Sequence, residues 1–150
     1  MVNVPTILWI DESGQIVRPN DVAFGDNTWQ EVTGMDAEIH KRALRQWVTS
    51  GTGAYRPEQA RALQTQPSAE QQLARAEFAL AQWLWEQNRL EAANAHFVQA
   101  GELAPQDFNI RRGSMPMRDI DPMGPEFFSM RQAWADAGRE YYLPLNAGPD

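Results

Sequence analysis

Residues 2–17 decide the fold of this chain, and they read Val2-Asn3-Val4-Pro5-Thr6-Ile7-Leu8-Trp9-Ile10-Asp11-Glu12-Ser13-Gly14-Gln15-Ile16-Val17. The run from Ile7 to Ile10 is apolar at every position, which is typical of a strand covered on both faces in the middle of a sheet. A proline is tolerated in such a strand only at its first residue, and Pro5 stands there. Asp11 and Gly14 predict a type I turn closed by a bulge. We therefore predict a β-hairpin that belongs to a larger sheet.

The same residues resemble the thioredoxin-like redoxins, especially the TlpA/ResA and peroxiredoxin-related branch. The pattern of that family is a small or apolar residue, Pro-Thr, an apolar strand, and then Ile-Asp-x-x-Gly-x-Ile-Val. Val4-Pro5-Thr6 and residues 10–17 match it. The resemblance implies that Pro5 is cis and that Val4, Pro5 and Thr6 are the remnant of a substrate groove, in which the backbone of Val4 pairs with an extended substrate.

The chemistry of that family depends on cysteines, and this sequence has none. The redox motif of the family lies N-terminal to the proline strand, and without a thiolate there is no nucleophile for disulfide exchange. We expect the chain to be the C-terminal portion of a redoxin, without thiol-disulfide activity by itself and without a cofactor. A truncated gene, a fragment started at an internal methionine, and the loss of an ancestral catalytic half remain open explanations.

Composition narrows the possible partners. The chain has 150 residues, 43% of them hydrophobic, which suits one modest core. Its net charge of −7, with 13 basic residues among 20 acidic ones, argues against nucleic acid as a partner. No apolar run approaches the roughly 20 residues that span a bilayer, so we expect no membrane insertion. No signal peptide is visible, and a cytoplasmic location is the default expectation.

A loop-rich passage from Arg18 to Thr33 should follow the hairpin, and a first helix should come after it. Asp36 or Thr33 signals its start, and Ser50-Gly51 signals its end. The redoxin resemblance implies a helix at this place, packed on the sheet. We assign residues 1–51 to the C-terminal part of a thioredoxin-like fold. Residues 52–67 are assigned to a linker, in which residues 57–63 could form a short helix.

A pair of helices is predicted next. Ser68 and Gln71 form a capping box, which starts a helix that ends near Asn88, and a second helix runs from about Leu90 to Leu103. The spacing resembles a single tetratricopeptide (TPR) repeat and predicts that one set of residues packs the two helices together: Leu80, Ala81, Leu84, Ala93, Phe97 and Ala100, with Pro105 after them. One repeat cannot bury its own face, since about three are needed, so we expect a protein partner or a homodimer.

The last third should hold one further helix. It begins at Pro125 and ends at Gly138, so residues 68–138 form the predicted TPR-like helical region. Residues 139–150 form a C-terminal tail, which we expect to be disordered beyond Leu145. The predicted fold class is α+β and mostly helical, with a partial thioredoxin-like hairpin and helix, a TPR-like antiparallel pair and a C-terminal helix.

The patterns around the histidines, the tryptophans and the paired arginines are less specific for a function. His40 and His96 have no metal-ligating neighbours in sequence and suit surface or boundary positions, so no metal site is expected. We predict Trp83 in the core and Trp85 on the opposite flank, and we expect Arg111 and Arg112 to pair with acidic residues. Two functions follow: a redox-silent portion of a redoxin or, as the alternative, a TPR-like protein-interaction or dimerisation module.

Overall fold

The computed structural model describes residues 5–64 and 66–142, and the predicted fold class is confirmed: the chain is α+β and mostly helical. Residues 5–64 with Tyr142 form one compact unit, and Gln66–Tyr141 form a second. The first unit contains strands β1 (Ile7–Ile10) and β2 (Ile16–Asp21) and helices α1 (Gln30–Thr33), α2 (Ala37–Ser50) and α3 (Pro57–Ala62). The second contains helices α4 (Ala69–Glu86), α5 (Leu90–Leu103), α6 (Phe108–Gly113) and α7 (Pro125–Asp136), with a short 3-10 helix at Pro116–Arg118.

The predicted hairpin and its turn are confirmed. Strands β1 and β2 pair antiparallel, and Oδ1 of Asp11 accepts hydrogen bonds from the backbone N–H of Ser13 and Gln15, both at 2.9 Å. Gly14 has φ = 76°, and its N–H donates to the carbonyl of Asp11. Two register shifts along the pair show that β2 carries extra residues relative to β1, as β-bulges do.

Strand β1 is covered on one face only. Trp9 is buried, whereas its neighbours Leu8 and Ile10, which point to the other face, are 45% and 55% exposed. Within the described ranges, β1 pairs with β2 alone, in a sheet of two strands. The sequence predicts a strand covered on both faces, and the described chain supplies a cover for one of them.

Helix α2 covers the Trp9 face of the hairpin. Its cap is the predicted Asp36, whose side chain accepts from the N–H of Glu38 at 2.9 Å. This hydrogen bond is the main reason that the pKa of Asp36 lies below its ordinary value. Gly51, with φ = 74°, ends the helix as predicted. The expected loop from Arg18 to Thr33 is wrong in part, because β2 continues to Asp21 and α1 forms near the end of the segment.

Helices α4 and α5 form an antiparallel pair. Phe78 contacts Phe97 edge to face at 5.4 Å, and further along α4 the side chains of Ala81 and Leu84 share a core cluster with Ala93. The C-terminal part of α4 therefore packs against the N-terminal part of α5, as an antiparallel arrangement requires. The capping box at Ser68 and Gln71 is present, as predicted.

Helices α6 and α7 extend the second unit. Ile110 of α6 packs into a cluster with Ala74 of α4 and Ala100 and Ala104 from the end of α5. Helix α7 starts with Pro125 as its first residue, as predicted. Tyr141 follows that helix and lies 4.4 Å from the ring of Phe108. The predicted disorder beyond Leu145 falls outside the described residues.

None of the helices in the described ranges has the length and apolar character needed to cross a membrane.

Candidate functional site

The first unit contains a cavity of about 530 Å³ beside the end of β2 and the start of α2. Its walls are mostly apolar and include Val22, Phe24, Met35, Ile39 and Ala43. Its polar lining comes from the strand end and the facing helix: Arg18, Asp21, Asp36, His40, Arg42 and Gln46. A mostly apolar cavity with a few converging polar groups is the usual form of a ligand site, and this cavity is the candidate site.

A buried ion pair lies at the cavity. Nε of Arg18 donates to Oδ2 of Asp21 at 2.6 Å, and both side chains are less than 5% exposed. Oδ1 of Asp21 accepts from the N–H of Val22 at 2.9 Å. Both oxygens of the Asp21 carboxylate thus accept hydrogen bonds, and these bonds fix the position of the end of β2.

Two aromatic rings lie close to the Arg18 guanidinium. Its central carbon lies 5.0 Å from the ring of Trp9 and 5.6 Å from that of Tyr55. Arginine over aromatic faces is a favourable cation–π arrangement that is strengthened by burial. Tyr55 is itself fixed in place, since its N–H donates to the carbonyl of Val17 at 2.8 Å. The segment after α2 therefore closes over the side of β2.

His40 links α2 to this cluster without completing a catalytic pair. Its Nδ1 is 3.7 Å from Oδ2 of Asp21, beyond hydrogen-bond range, and its ring meets that of Trp9 edge to face at 5.7 Å. The predicted boundary position is confirmed by the intermediate burial of His40. The polar side chains in the described lining of the cavity are two carboxylates, two arginines, one histidine and one glutamine. The mostly apolar lining suits ligand binding.

The residues predicted to form a substrate groove are Val4, Pro5 and Thr6. Val4 falls outside the described residues. Pro5 and Thr6 are half-buried, lead into β1 and do not line the cavity. The groove assignment stays a prediction.

Of the six residues predicted to pack the helix pair, five lie in one of two buried clusters. Ala81, Leu84, Ala93 and Phe97 form one buried cluster, and Ala100 belongs to the second. Leu80 is 41% exposed and lies outside both. Next to the first cluster, His96 Nδ1 and Glu77 Oε2 lie 2.5 Å apart, which adds a polar link between α4 and α5.

Three side-chain expectations are wrong. Trp83 is 52% exposed instead of buried, because it sits on the side of α4 that faces away from α5. Arg111 donates to the carbonyl of Pro105 at 3.0 Å, and Arg112 donates to that of Pro122 at 2.9 Å. The two arginines also lie over the rings of Phe108 and Phe127 respectively. The two arginines therefore contact backbone carbonyls and aromatic rings, and not the acidic side chains that were expected.

Within residues 5–64 and 66–142, no group of three or more His, Cys, Asp or Glu side chains could hold a metal ion.

Little in the sequence signals the Arg18–Asp21–His40 cluster. Arg18 stood at the start of an expected loop, and His40 was one of two isolated histidines. The available signal was the opposite charge of Arg18 and Asp21 three residues apart beside a strand, a pattern that also occurs on solvated surfaces.

Neither a family model nor a curated protein nor a solved structure matches this chain.

Proposed function

We propose that this chain is the C-terminal portion of a thioredoxin-like redoxin and that it is silent in thiol-disulfide exchange by itself. The observation that carries the proposal is the half-covered strand β1. Leu8 and Ile10 form an exposed apolar face, and the described chain pairs only one edge of the strand. An exposed apolar strand with an unpaired edge favours pairing with further strands.

The local structure around β1 is compatible with this proposal. The proline precedes the strand, the aspartate and glycine make the turn, and α2 packs on one face of the hairpin, as the redoxin resemblance implies for each. Since the sequence contains no cysteine, the thiolate would have to come from the part that completes the sheet.

The test is a complementation assay with the full chain. An N-terminal half of a thioredoxin that carries Cys-x-x-Cys is mixed with the chain, and reduction of insulin disulfides is followed. We expect no activity from either component alone and activity from the mixture, because the added half supplies both the thiols and the missing strands. A mixture no more active than the thioredoxin half alone would refute the proposal. A chain variant with Pro5→Ala should give a less active mixture, since Pro5 lies beside the redox cysteines by resemblance.

A second candidate function is a TPR-like protein-interaction or dimerisation module. One observation favours it: Leu73, Leu80 and Trp83 are exposed along a single side of α4, at 47%, 41% and 52%. Exposed apolar residues that share one helix face are typical of association surfaces.

A further inference from the structure

We propose that the cavity beside the end of β2 and the start of α2 binds a small carboxylic acid as its anion, with the apolar body of the ligand inside the cavity. This ligand is independent of the redoxin proposal, which concerns the uncovered face of β1. The charge of the ligand follows from which polar groups at the cavity already have partners.

The two carboxylates of the lining are each opposed by a positive charge. Asp21 pairs with Nε of Arg18 at 2.6 Å, and both side chains are buried. Asp36 caps the N-terminus of α2, where its Oδ1 accepts from the N–H of Glu38 at 2.9 Å. The positive end of the helix dipole lies at that terminus and offsets the charge of a capping carboxylate. Neither carboxylate therefore leaves an excess of negative charge at the cavity.

Arg42 is the remaining charge of the lining. It is exposed on α2, and its guanidinium forms neither an ion pair nor a hydrogen bond with any group that the structure describes. The hydrogen bonds from Glu38 and Asn27 lower the pKa of Asp36 more than the charge of Arg42 does. The planar fork of an arginine matches a carboxylate, which accepts two parallel hydrogen bonds from it. The cavity therefore favours an anion.

Gln46 adds a neutral donor next to this charge. It follows Arg42 by four residues on α2 and lines the same cavity, so the two side chains are neighbours on one helix face. Its amide makes no hydrogen bond to any described group and can donate to a carboxylate oxygen. One guanidinium and one amide match a singly charged group. A doubly charged phosphate would keep an uncompensated charge, so the site selects a carboxylate.

The rest of the lining selects an apolar body. Val22 and Phe24 follow β2, Met35 precedes α2, and Ile39 and Ala43 lie on α2 beside Arg42. Ile39 is 58% exposed, so the cavity is open to solvent there and a ligand has a path of entry. A bound apolar body would cover this side chain. The volume of about 530 Å³ is within the usual range for small-molecule sites.

The expected affinity is modest, because the contact with Arg42 is open to solvent and such pairs contribute little. Decanoate is a suitable probe, since it combines one carboxylate with a flexible apolar chain. For a ligand of about a dozen non-hydrogen atoms, we expect a dissociation constant on the order of 100 μM.

The test is a titration of the full, ¹⁵N-labelled chain followed by amide chemical shifts. Decanoate should shift the signals of residues 22–24 and 35–46, and decyltrimethylammonium, with the same chain and the opposite charge, should bind at least about tenfold more weakly. Equal affinities, or tighter binding of decyl phosphate, would overturn the carboxylate. No shifts, or shifts centred on Leu8 and Ile10 of β1, would overturn the site.

Two matched variants test the role of the charge. Arg42→Gln should weaken decanoate binding about three- to tenfold, because the guanidinium that contacts the carboxylate is lost. Arg45→Gln removes the same charge from α2 but does not line the cavity, so it should leave binding unchanged. Both arginines are exposed, so both variants should keep the fold. Equal losses would show a general attraction between charges and would overturn the assignment of Arg42.

A second pair of variants tests the apolar contact. Ile39→Ala should weaken decanoate binding about threefold, whereas Val48→Ala, at an exposed position of α2 that does not line the cavity, should not change it. Unchanged binding by Ile39→Ala would overturn the placement of the apolar body. Failure of decanoate to bind leaves the redoxin proposal intact, since that proposal is read from insulin reduction.

Discussion

The indole of Trp9 on β1 stacks on that of Trp47 on α2, with ring centroids 5.0 Å apart and planes inclined by 19°. Trp9 is buried, and Trp47 is half-buried above it. Stacked aromatic pairs contribute beyond the area they bury. This pair joins the hairpin to the helix that covers it.

Trp47→Ala should therefore lower the free energy of unfolding of the first unit by about 3 kcal/mol, through lost burial and the cavity left beside Trp9. The neighbouring Val48 is 73% exposed, and Val48→Ala should change stability by no more than about 0.5 kcal/mol. Urea unfolding combined with hydrogen exchange of residues 5–64 measures both. Equal losses for the two variants would argue against the observed packing of α2.

Phe97 is the largest side chain in the cluster between α4 and α5 and is fully buried. Phe97→Ala should destabilise the second unit by about 3–5 kcal/mol, because the cavity opens against Phe78 and Leu84. Val98→Ala is the adjacent control and should cost less than about 1 kcal/mol. Urea unfolding monitored by circular dichroism at 222 nm separates the two outcomes, and a mild effect of Phe97→Ala would contradict the helix-pair core.

Ser68 caps α4 by accepting from the N–H of Gln71 at 3.2 Å, while the Gln71 side chain accepts from the N–H of Ser68 at 2.9 Å. Ser68→Ala should lower stability by about 1 kcal/mol, since both the acceptor and the reciprocal box are disturbed. Ser68→Asp should retain most of that stability, because aspartate also caps well. Thermal melts of the three proteins test this order, and a loss for Ser68→Asp as large as that for Ser68→Ala would contradict it.

Asp107 gives the second unit a pH dependence of unusual sign. Burial raises the pKa of this carboxyl above its ordinary value of 3.8, against the lowering effect of the hydrogen bonds from the N–H groups of Ile110 and Asn109. The native state then binds a proton more tightly than the unfolded state. This group's contribution to stability therefore falls as pH rises from about 3.8 through the raised pKa.

Asp107→Asn keeps the N-cap and removes the titration. The stability of the original chain minus that of the variant should fall as pH rises through this window and stay level above it. Urea midpoints at a series of pH values give this difference. A difference that rises with pH over the same window would show that the pKa of Asp107 is lowered in the native state.

The elements with strong local signals could be predicted from the sequence. The turn at Asp11 and Gly14, the caps at Asp36 and Ser68, and the helix start at Pro125 depend on neighbouring residues, so the sequence contains most of the information that determines them. The candidate site depends on contacts between distant residues. Nothing local brings His40 to Asp21 or places Tyr55 over Arg18, and these contacts exist because α2 and the segment after it fold back on β2.

Which side of α4 is buried is likewise not determined by the local sequence. Helical spacing groups Leu73, Leu80 and Trp83 with Leu84, but α5 covers only the side that contains Leu84. Which apolar stripe is buried is decided by the direction from which the next helix returns. The period of the pattern does not specify that direction.

The central claim is that β1 belongs to a larger sheet, and calorimetric titration of the full chain with the N-terminal thioredoxin half tests it most directly. The proposal predicts one-to-one binding. Leu8→Lys and Ile10→Lys should each weaken it by at least about tenfold, because both residues lie on the uncovered face of β1. Val32→Lys, at a comparably exposed position on α1, should bind as the original chain does. Absence of binding, or an equal loss with Val32→Lys, would contradict the claim.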